Sequence, residues 1–173
     1  MKYQDCVEAW QADDGADGAP ATLASANINP ATGFATDYLN HFNEAIMLLE
    51  MLSSCPDCRD DLLAWRPMNY REHFTASRFK GRTMAIAAYD AADTNLRDCL
   101  DALAGAMTAV LQATCATIST DLPPEAAAAL ADRAATLLKP LIARAGALIN
   151  GEELTEAGDP AAAQAVVDRL MKR

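Results

Sequence analysis

The sequence predicts an all-α protein, folded as an antiparallel up-and-down bundle of three to four long helices with short connecting helices and a C-terminal helix. Large apolar residues recur three or four positions apart in several segments, which is the spacing of one face of an α-helix. No segment of useful length alternates apolar and polar residues as a half-buried strand does. Much of the 51% apolar share is alanine, which favours helix, and short links between segments favour antiparallel neighbours.

Composition divides the chain into three parts. Residues 1–35 are acidic and rich in small residues, which predicts a flexible N-terminal segment. Residues 36–150 carry the periodic apolar segments and form the predicted bundle. Residues 151–173 hold a polar linker and then an amphipathic terminal helix that starts at Ala161. A chain of 173 residues is long enough for one domain with a sizeable core.

Five helices are predicted within the bundle, and they span residues 36–52, 56–65, 69–93, 95–119 and 125–149. Gly81 lowers the helix preference of the third segment and could bend it. Pro140 is expected to kink the fifth. The pair Asn150-Gly151 is a stop signal, so the fifth helix should end there.

The formal net charge of −10 disfavours nucleic acid and anionic lipid as partners. The exception is residues 59–82, where six basic residues against three acidic ones leave a net charge of +3. The first residues lack a basic and then apolar signal region, which predicts a cytoplasmic protein with reduced thiols. No apolar run reaches about 18 residues, so no membrane span is expected.

One polar face stands out on the first predicted helix. Asp37, His41 and Glu44 lie within roughly 60° of one another on a helix, in line with apolar residues. If that face is buried, the carboxylates need partners. Ion pairs could come from three arginines that share a line on the 69–93 helix, namely Arg71, Arg78 and Arg82.

The same face has a second interpretation, in which Asp37, His41, Glu44 and His73 hold a divalent transition metal. Carboxylate and imidazole ligands face inward in this way in ferritin-like bundles. The Glu-x-x-His signature of those bundles is missing, since the order is reversed in His41-x-x-Glu44. The ion-pair network is therefore the favoured interpretation of this face.

Cys55 and Cys58 form a C-x-x-C pair next to a predicted helix start. A thiol at a helix N-terminus can have a lowered pKa and exchange disulfides, but redox motifs of this type follow a strand, and none is predicted. A structural zinc site needs four ligands, and the sequence has no second C-x-x-C. We interpret the pair as part of a plain helix start, with Ser54 or Cys55 as the N-cap and Pro56 in the first turn.

Aromatic residues interleave with the basic residues of segment 59–82. This composition is typical of proteins that bind single-stranded nucleic acid or a phosphorylated ligand, here through Arg71, Arg78 and Arg82. The acidic charge of the whole chain favours a different interpretation, in which the rings belong to the core. A small anion is a better candidate ligand than nucleic acid.

The sequence contains no G-x-G-x-x-G, P-loop, G-x-S-x-G or H-E-x-x-H motif and only two histidines. The expected function is therefore non-catalytic: a regulatory or scaffolding protein that acts through protein–protein association, which includes a homodimer through helix 125–149 or the terminal helix. Two alternatives stay open. They are a metal-binding bundle, which could be an enzyme, and a binder of anions or nucleic acid through residues 59–82. No cofactor is expected apart from that metal.

Overall fold

The computed structural model describes residues 23–55, 57–120 and 122–152. Within these ranges the regular structure is helical, which confirms the all-α prediction, and β-pairing is limited to one isolated bridge between Ile28 and Ala35. Short 3-10 helices cover Leu23–Ala26 and Thr36–Leu39. The α-helices are α1 (Asn40–Met51), α2 (Cys58–Ala64), α3 (Tyr70–Ala76), α4 (Arg82–Ala91), α5 (Thr94–Ile118) and α6 (Pro124–Ile149).

Helices α5 and α6, with 25 and 26 residues, form the largest contact in the fold. Helix α5 begins where the carboxylate of Asp93 accepts hydrogen bonds from the backbone amides of Asn95 (2.8 Å) and Leu96 (3.2 Å). Such a cap stabilises a helix by about 1 kcal/mol. The core-facing side chains of α5 are Leu100, Leu103, Met107, Val110, Leu111 and Ile118, which follow the predicted spacing.

Helix α6 ends at the predicted stop signal. Gly151 has a positive φ of 73°, its amide donates to the carbonyl of Leu148 (3.1 Å), and the amide of Glu152 donates to the carbonyl of Ala147 (2.9 Å). These two bonds form a Schellman motif, which satisfies carbonyls that the helix end leaves without partners. The helix runs on through Pro140, and the expected kink there stays a prediction.

Helix α1 packs on α6, and two contacts fix their relation. The side chain of Leu39, just before α1, lies beside Gly146 in the last turns of α6. At the other end of α1, Glu50 forms an ion pair with Lys139. As α1 proceeds from residue 39 to 50, its neighbours on α6 thus change from residue 146 to 139.

The predicted helix over residues 69–93 is wrong as a single element, because the structure divides it into α3 and α4. The hydroxyl of Ser77 donates to the carbonyl of Phe74 (3.0 Å) and accepts from the amide of Phe79 (3.3 Å). Local bonds of this kind compete with helical backbone bonds. Phe79 then packs against Phe74, with ring centroids 5.4 Å apart, and Gly81 directly precedes α4.

Residues 23–35, which the sequence assigns to a flexible segment, are instead packed against the helices. Ile28, Phe34 and Ala35 are buried. The hydroxyl of Thr32 donates to the carbonyl of Ile149 (2.7 Å). The three large apolar side chains of this segment, Leu23, Ile28 and Phe34, do not recur at helical or strand spacing, so the sequence carries no periodic signal for this packing. Residues 1–22 and the predicted helix from 161 lie outside the described residues.

By length and composition α5 is long and apolar enough to cross a membrane, and the expectation of no membrane span stays a prediction. Within its most apolar window of 18 residues, 44% of the helix is buried inside the fold. A core helix and a membrane span meet the same criterion, which therefore does not separate them.

Candidate functional site

The aromatic and imidazole rings of the described residues form one connected cluster. It joins α1, α3 and α4 to the segments around them, through ring centroids that lie 4.5–6.3 Å apart. Such distances are typical of favourable aromatic pairs. The members are Phe34, Tyr38, His41, Phe42, Trp65, Tyr70, His73, Phe74, Phe79 and Tyr89. The aromatics of segment 59–82 are thus part of the core, as the favoured interpretation expects.

His41 lies in the first turn of α1 and is only 5% exposed. Its ring stacks on Trp65 at 4.7 Å, and the indole Nε1 of Trp65 donates to the backbone carbonyl of His41 (3.1 Å). Burial, and to a smaller extent the nearby His73, lower the pKa of His41 to about 4. The imidazole is therefore neutral at pH 7, and among the described residues its Nε2 has no hydrogen-bond partner.

His73 on α3 lies next to His41, with ring centroids 6.0 Å apart. Burial lowers the pKa of His73, although the Asp37 carboxylate acts in the opposite direction. Asp37 is half-buried and accepts a hydrogen bond from the side-chain amide of Asn27 (2.8 Å). Three of the four residues of the predicted polar face are thus neighbours.

Glu44, the fourth residue, is exposed, so the predicted face is not one buried surface. No ion pair joins Asp37 or Glu44 to an arginine in the part of the chain that the structure describes. Glu44 lies away from the buried side of α1, which carries His41, Phe42, Ala45, Ile46 and Leu49. Residues Thr36–Leu39 form a 3-10 helix, which turns the chain by about 120° per residue rather than 100° and so changes the position of Asp37 relative to His41.

The residues of the metal hypothesis do not form a ligand set. Across residues 23–55, 57–120 and 122–152, no three His, Cys, Asp or Glu side chains lie close enough together to hold a metal ion. His41 and His73 bring two imidazoles together, but Glu44 does not join them.

Cys55 and Cys58 are both free thiols, half-buried and buried respectively. The hydrogen bond with Cys55, together with burial, raises the pKa of the Cys58 thiol to about 11. Redox cysteines need the opposite shift. Helix α2 begins at Cys58, and the preceding Asp57 makes no capping bond, so the predicted N-cap at Ser54 or Cys55 is wrong.

The three candidate arginines do not share one helix face, because the structure divides the predicted 69–93 helix into α3 and α4. Arg71 lies on α3 and forms an ion pair with Asp90 on α4, at 2.7 Å between Nη2 and Oδ1. Arg78 lies in the break between the two helices, and Arg82 opens α4. All three are exposed.

A cleft that the sequence does not predict lies between the segment 67–72 and the first half of α5. Its volume is about 780 Å³, within the range of small-molecule sites. Its wall includes Tyr38, Arg71, Tyr89, Arg97, Asp98 and Asp101. The acidic residues of α5 stand on the outward side of its apolar stripe, but helical spacing alone cannot tell what lies opposite them.

Hydrogen bonds fix the polar groups of this cleft. The hydroxyl of Tyr89 donates to the carboxylate of Asp101, with 2.8 and 2.7 Å to its two oxygens. The guanidinium of Arg97 donates to the carbonyl of Asp90 (3.4 Å) and to the hydroxyl of Thr94 (3.2 Å). Burial and the bond to Asp101 raise the pKa of Tyr89, so this tyrosine stays a donor at neutral pH.

The outward face of α1 carries two large apolar side chains, Met47 (50% exposed) and Met51 (39% exposed). They stand one helical turn apart, with the half-buried Leu48 between them. Glu44 precedes them by one turn and is exposed as well. We call Glu44, Met47, Leu48 and Met51 the methionine face.

Comparisons with protein families, with curated proteins and with solved structures found no match to this chain, so its function has to be argued from its own residues.

Proposed function

We propose that this protein acts without catalysis, by association with a protein partner in a regulatory or scaffolding role. The observation that carries the proposal is the exposure of Met47 and Met51 on the methionine face. Large apolar side chains next to one another in water favour an interface, and methionine adapts well to the shape of a partner.

The partner that suits this face is an amphipathic helix with basic residues beside its apolar side. Helix α1 has 12 residues and is about 18 Å long, which matches three turns of a docked helix. Glu44 on the face and the chain's net charge of −10 attract a basic segment. The same charge opposes pairing with a second copy of the chain, so a homodimer is the less favoured occupant.

The finer architecture belongs to the same proposal: we infer that α1, α5 and α6 form an antiparallel up-and-down bundle. The contacts of α1 with α6 at residues 39 and 146, and at 50 and 139, support opposite directions for that pair. The five-residue link between α5 and α6 supports the same relation for the second pair. The two alternatives have less support, because no metal ligand set is present among the described residues and Arg71 is already paired.

Methyl NMR of the full chain, labelled at its methionine methyl groups, tests the association. The probe is a synthetic helical peptide with leucines on one face and lysines on the other, and the control is the same composition in scrambled order. The signals of Met47 and Met51 should shift on titration with the helical peptide, whereas that of the buried Met107 should not. The double variant Met47→Gln/Met51→Gln should bind the peptide at least about tenfold more weakly.

A matched variant, Thr136→Gln on the exposed side of α6, should leave peptide binding unchanged. If the scrambled peptide binds equally well, the binding depends on net charge alone and the proposal is wrong. Light scattering of the chain alone adds a second check. If the wild-type chain forms a dimer and Met47→Gln/Met51→Gln abolishes it, the methionine face binds a second copy of the chain and not a basic helix.

A further inference from the structure

The methionines of this protein differ in how far their side chains reach water. Met47 and Met51 on the methionine face are 50% and 39% exposed. Among the other methionines that the structure describes, Met68 and Met84 are half-buried and Met107 is fully buried. A dissolved oxidant has to reach the sulfur of a thioether before it can react, so exposure decides which methionine is modified first.

The thiols of the described ranges are poorer targets for the same oxidant. None of the four cysteines there is exposed, and Cys58 is buried. The hydrogen bond with Cys55, together with burial, raises the pKa of the Cys58 thiol to about 11, and burial raises the pKa values of Cys99 and Cys115. A thiol reacts as its thiolate, which is scarce at pH 7 when the pKa is raised, whereas a thioether needs no deprotonation. The two exposed thioethers are therefore the accessible oxidation targets of the described chain.

These two thioethers lie where a change of polarity affects association. They are one helical turn apart on α1 and supply the exposed apolar surface of the methionine face. A sulfoxide is polar, and oxidation of this kind disrupts interfaces that are built on methionine. Neither Met47 nor Met51 belongs to the hydrophobic core, so the fold does not depend on their apolar character.

We propose that Met47 and Met51 form an oxidation site, at which a peroxide converts the methionine face from an apolar to a polar surface and so blocks association. The effect on association rests on the proposed function, whereas the oxidation itself does not. A single modified turn of α1 then determines whether a partner helix finds an apolar surface to bind.

The reaction transfers one oxygen atom to each sulfur. The lone pair of Sδ attacks one oxygen of hydrogen peroxide, and the S–O bond forms as the O–O bond breaks. The proton of the transferred oxygen passes to the leaving oxygen, which departs as water, so the sulfide is oxidised to a sulfoxide and the peroxide is reduced. Methionine sulfoxide reductases reverse the change, since two thiols become a disulfide while the sulfoxide oxygen leaves as water.

Peptide-map mass spectrometry of the full chain during treatment with hydrogen peroxide tests the oxidation site. Met47 and Met51 should gain oxygen at least about tenfold faster than Met107, and faster than Met68 and Met84. In urea, where the fold no longer shields any sulfur, the rates should become similar. Equal rates in the folded chain, or faster oxidation of a half-buried methionine, would overturn the site. The oxidised chain should keep its melting temperature within a few degrees, because both side chains lie outside the core.

Binding of the leucine–lysine helical peptide, which has no oxidisable side chain, tests the effect on association. The oxidised wild type should bind it at least about tenfold more weakly, and a methionine sulfoxide reductase should restore the binding. The matched variant Met47→Leu/Met51→Leu keeps an apolar face without sulfur, so it should bind equally well before and after peroxide.

The outcomes separate the two proposals. If the untreated wild type does not bind the peptide, the proposed function fails and the control of association fails with it, while the mass spectra still decide the oxidation site. If the untreated wild type binds and the oxidised wild type binds equally well, only the control of association is wrong. A loss of binding by Met47→Leu/Met51→Leu after peroxide would assign the effect to another residue and overturn the proposal.

Discussion

The hydroxyl of Thr32 donates a 2.7 Å hydrogen bond to the backbone carbonyl of Ile149, the last residue of α6, across 117 positions of the chain. This carbonyl is one of those that a helix end leaves without an intrahelical partner. One buried side chain therefore completes the end of the longest helix and holds residues 23–35 against it.

Thr32→Val should lower the free energy of unfolding by roughly 1–2 kcal/mol, because the buried carbonyl loses its partner while the volume of the side chain is kept. Urea denaturation followed by circular dichroism measures the change. Thr136→Val serves as the control, since that hydroxyl bonds to Asp132 within its own helix at an exposed position. Equal changes in the two variants would contradict the role of Thr32.

Gly33→Ala should destabilise the fold by roughly 2–4 kcal/mol. Gly33 has φ of 76°, and a Cβ there would lie 2.8 Å from the carbonyl oxygen of Ala88, so both strain and a backbone clash oppose any side chain. Gly105→Ala on α5 is the matched variant, because a Cβ there meets nothing within 4 Å. Gly105→Ala should stabilise the fold by about 0.5–1 kcal/mol. If thermal melts show that both variants melt above the wild type, or both below it, the distinction between the two glycines is wrong.

The stability of the protein should fall as the pH drops from about 6.5 to 4, and His41 should contribute to that fall. The folded pKa of His41 is about 4 against 6.5 in its ordinary environment, so the unfolded chain takes up the proton first. The contribution is complete above pH 6.5, is lost through pH 4, and amounts to at most about 3 kcal/mol.

His41→Phe isolates this contribution, because it keeps a ring against Trp65 and removes the ionisable group. The urea midpoint of the wild type should fall relative to that of the variant as the pH drops from 6.5 to 4, since only the wild type has an imidazole to protonate. His73 and the carboxylates titrate in both proteins and cancel in the difference. Parallel curves from pH 7 to 4 would show that His41 is not buried in its neutral form.

Asp93→Ala should cost about 1 kcal/mol of stability, because the carboxylate caps α5 through the amides of Asn95 and Leu96. Asp57→Ala should cost less than about 0.5 kcal/mol, since Asp57 precedes α2 without a capping bond. Guanidinium denaturation of the two variants compares the stability from a capping hydrogen bond with that from a charge near a helix end. A larger loss of stability in Asp57→Ala than in Asp93→Ala would contradict the capping role of Asp93.

The parts of the fold that the sequence predicts are those decided locally. The helices predicted at 95–119 and 125–149 agree with α5 and α6 within one residue at each end, because the apolar periodicity, Pro124 and Gly151 all act over a few neighbouring positions.

The parts that the sequence misses depend on distant contacts. The predicted 69–93 helix is interrupted at Ser77, and this break lets the ring of Phe79 pack against Phe74. Helix propensities do not include such a contact. The candidate site shows the same limit: His41 and His73 do come together, whereas Glu44 lies away from the buried side of α1. The cleft residues Tyr89 and Asp101 meet only after folding.

The bond between Thr32 and Ile149 has a neighbour that acts on a second helix. Gly33 follows directly along the chain, and it lies against the backbone of Ala88 and the side chain of Ala92 at the end of α4. Two consecutive residues thus tie the ends of α6 and α4 together, so a change at either one should increase amide hydrogen exchange at both helix ends.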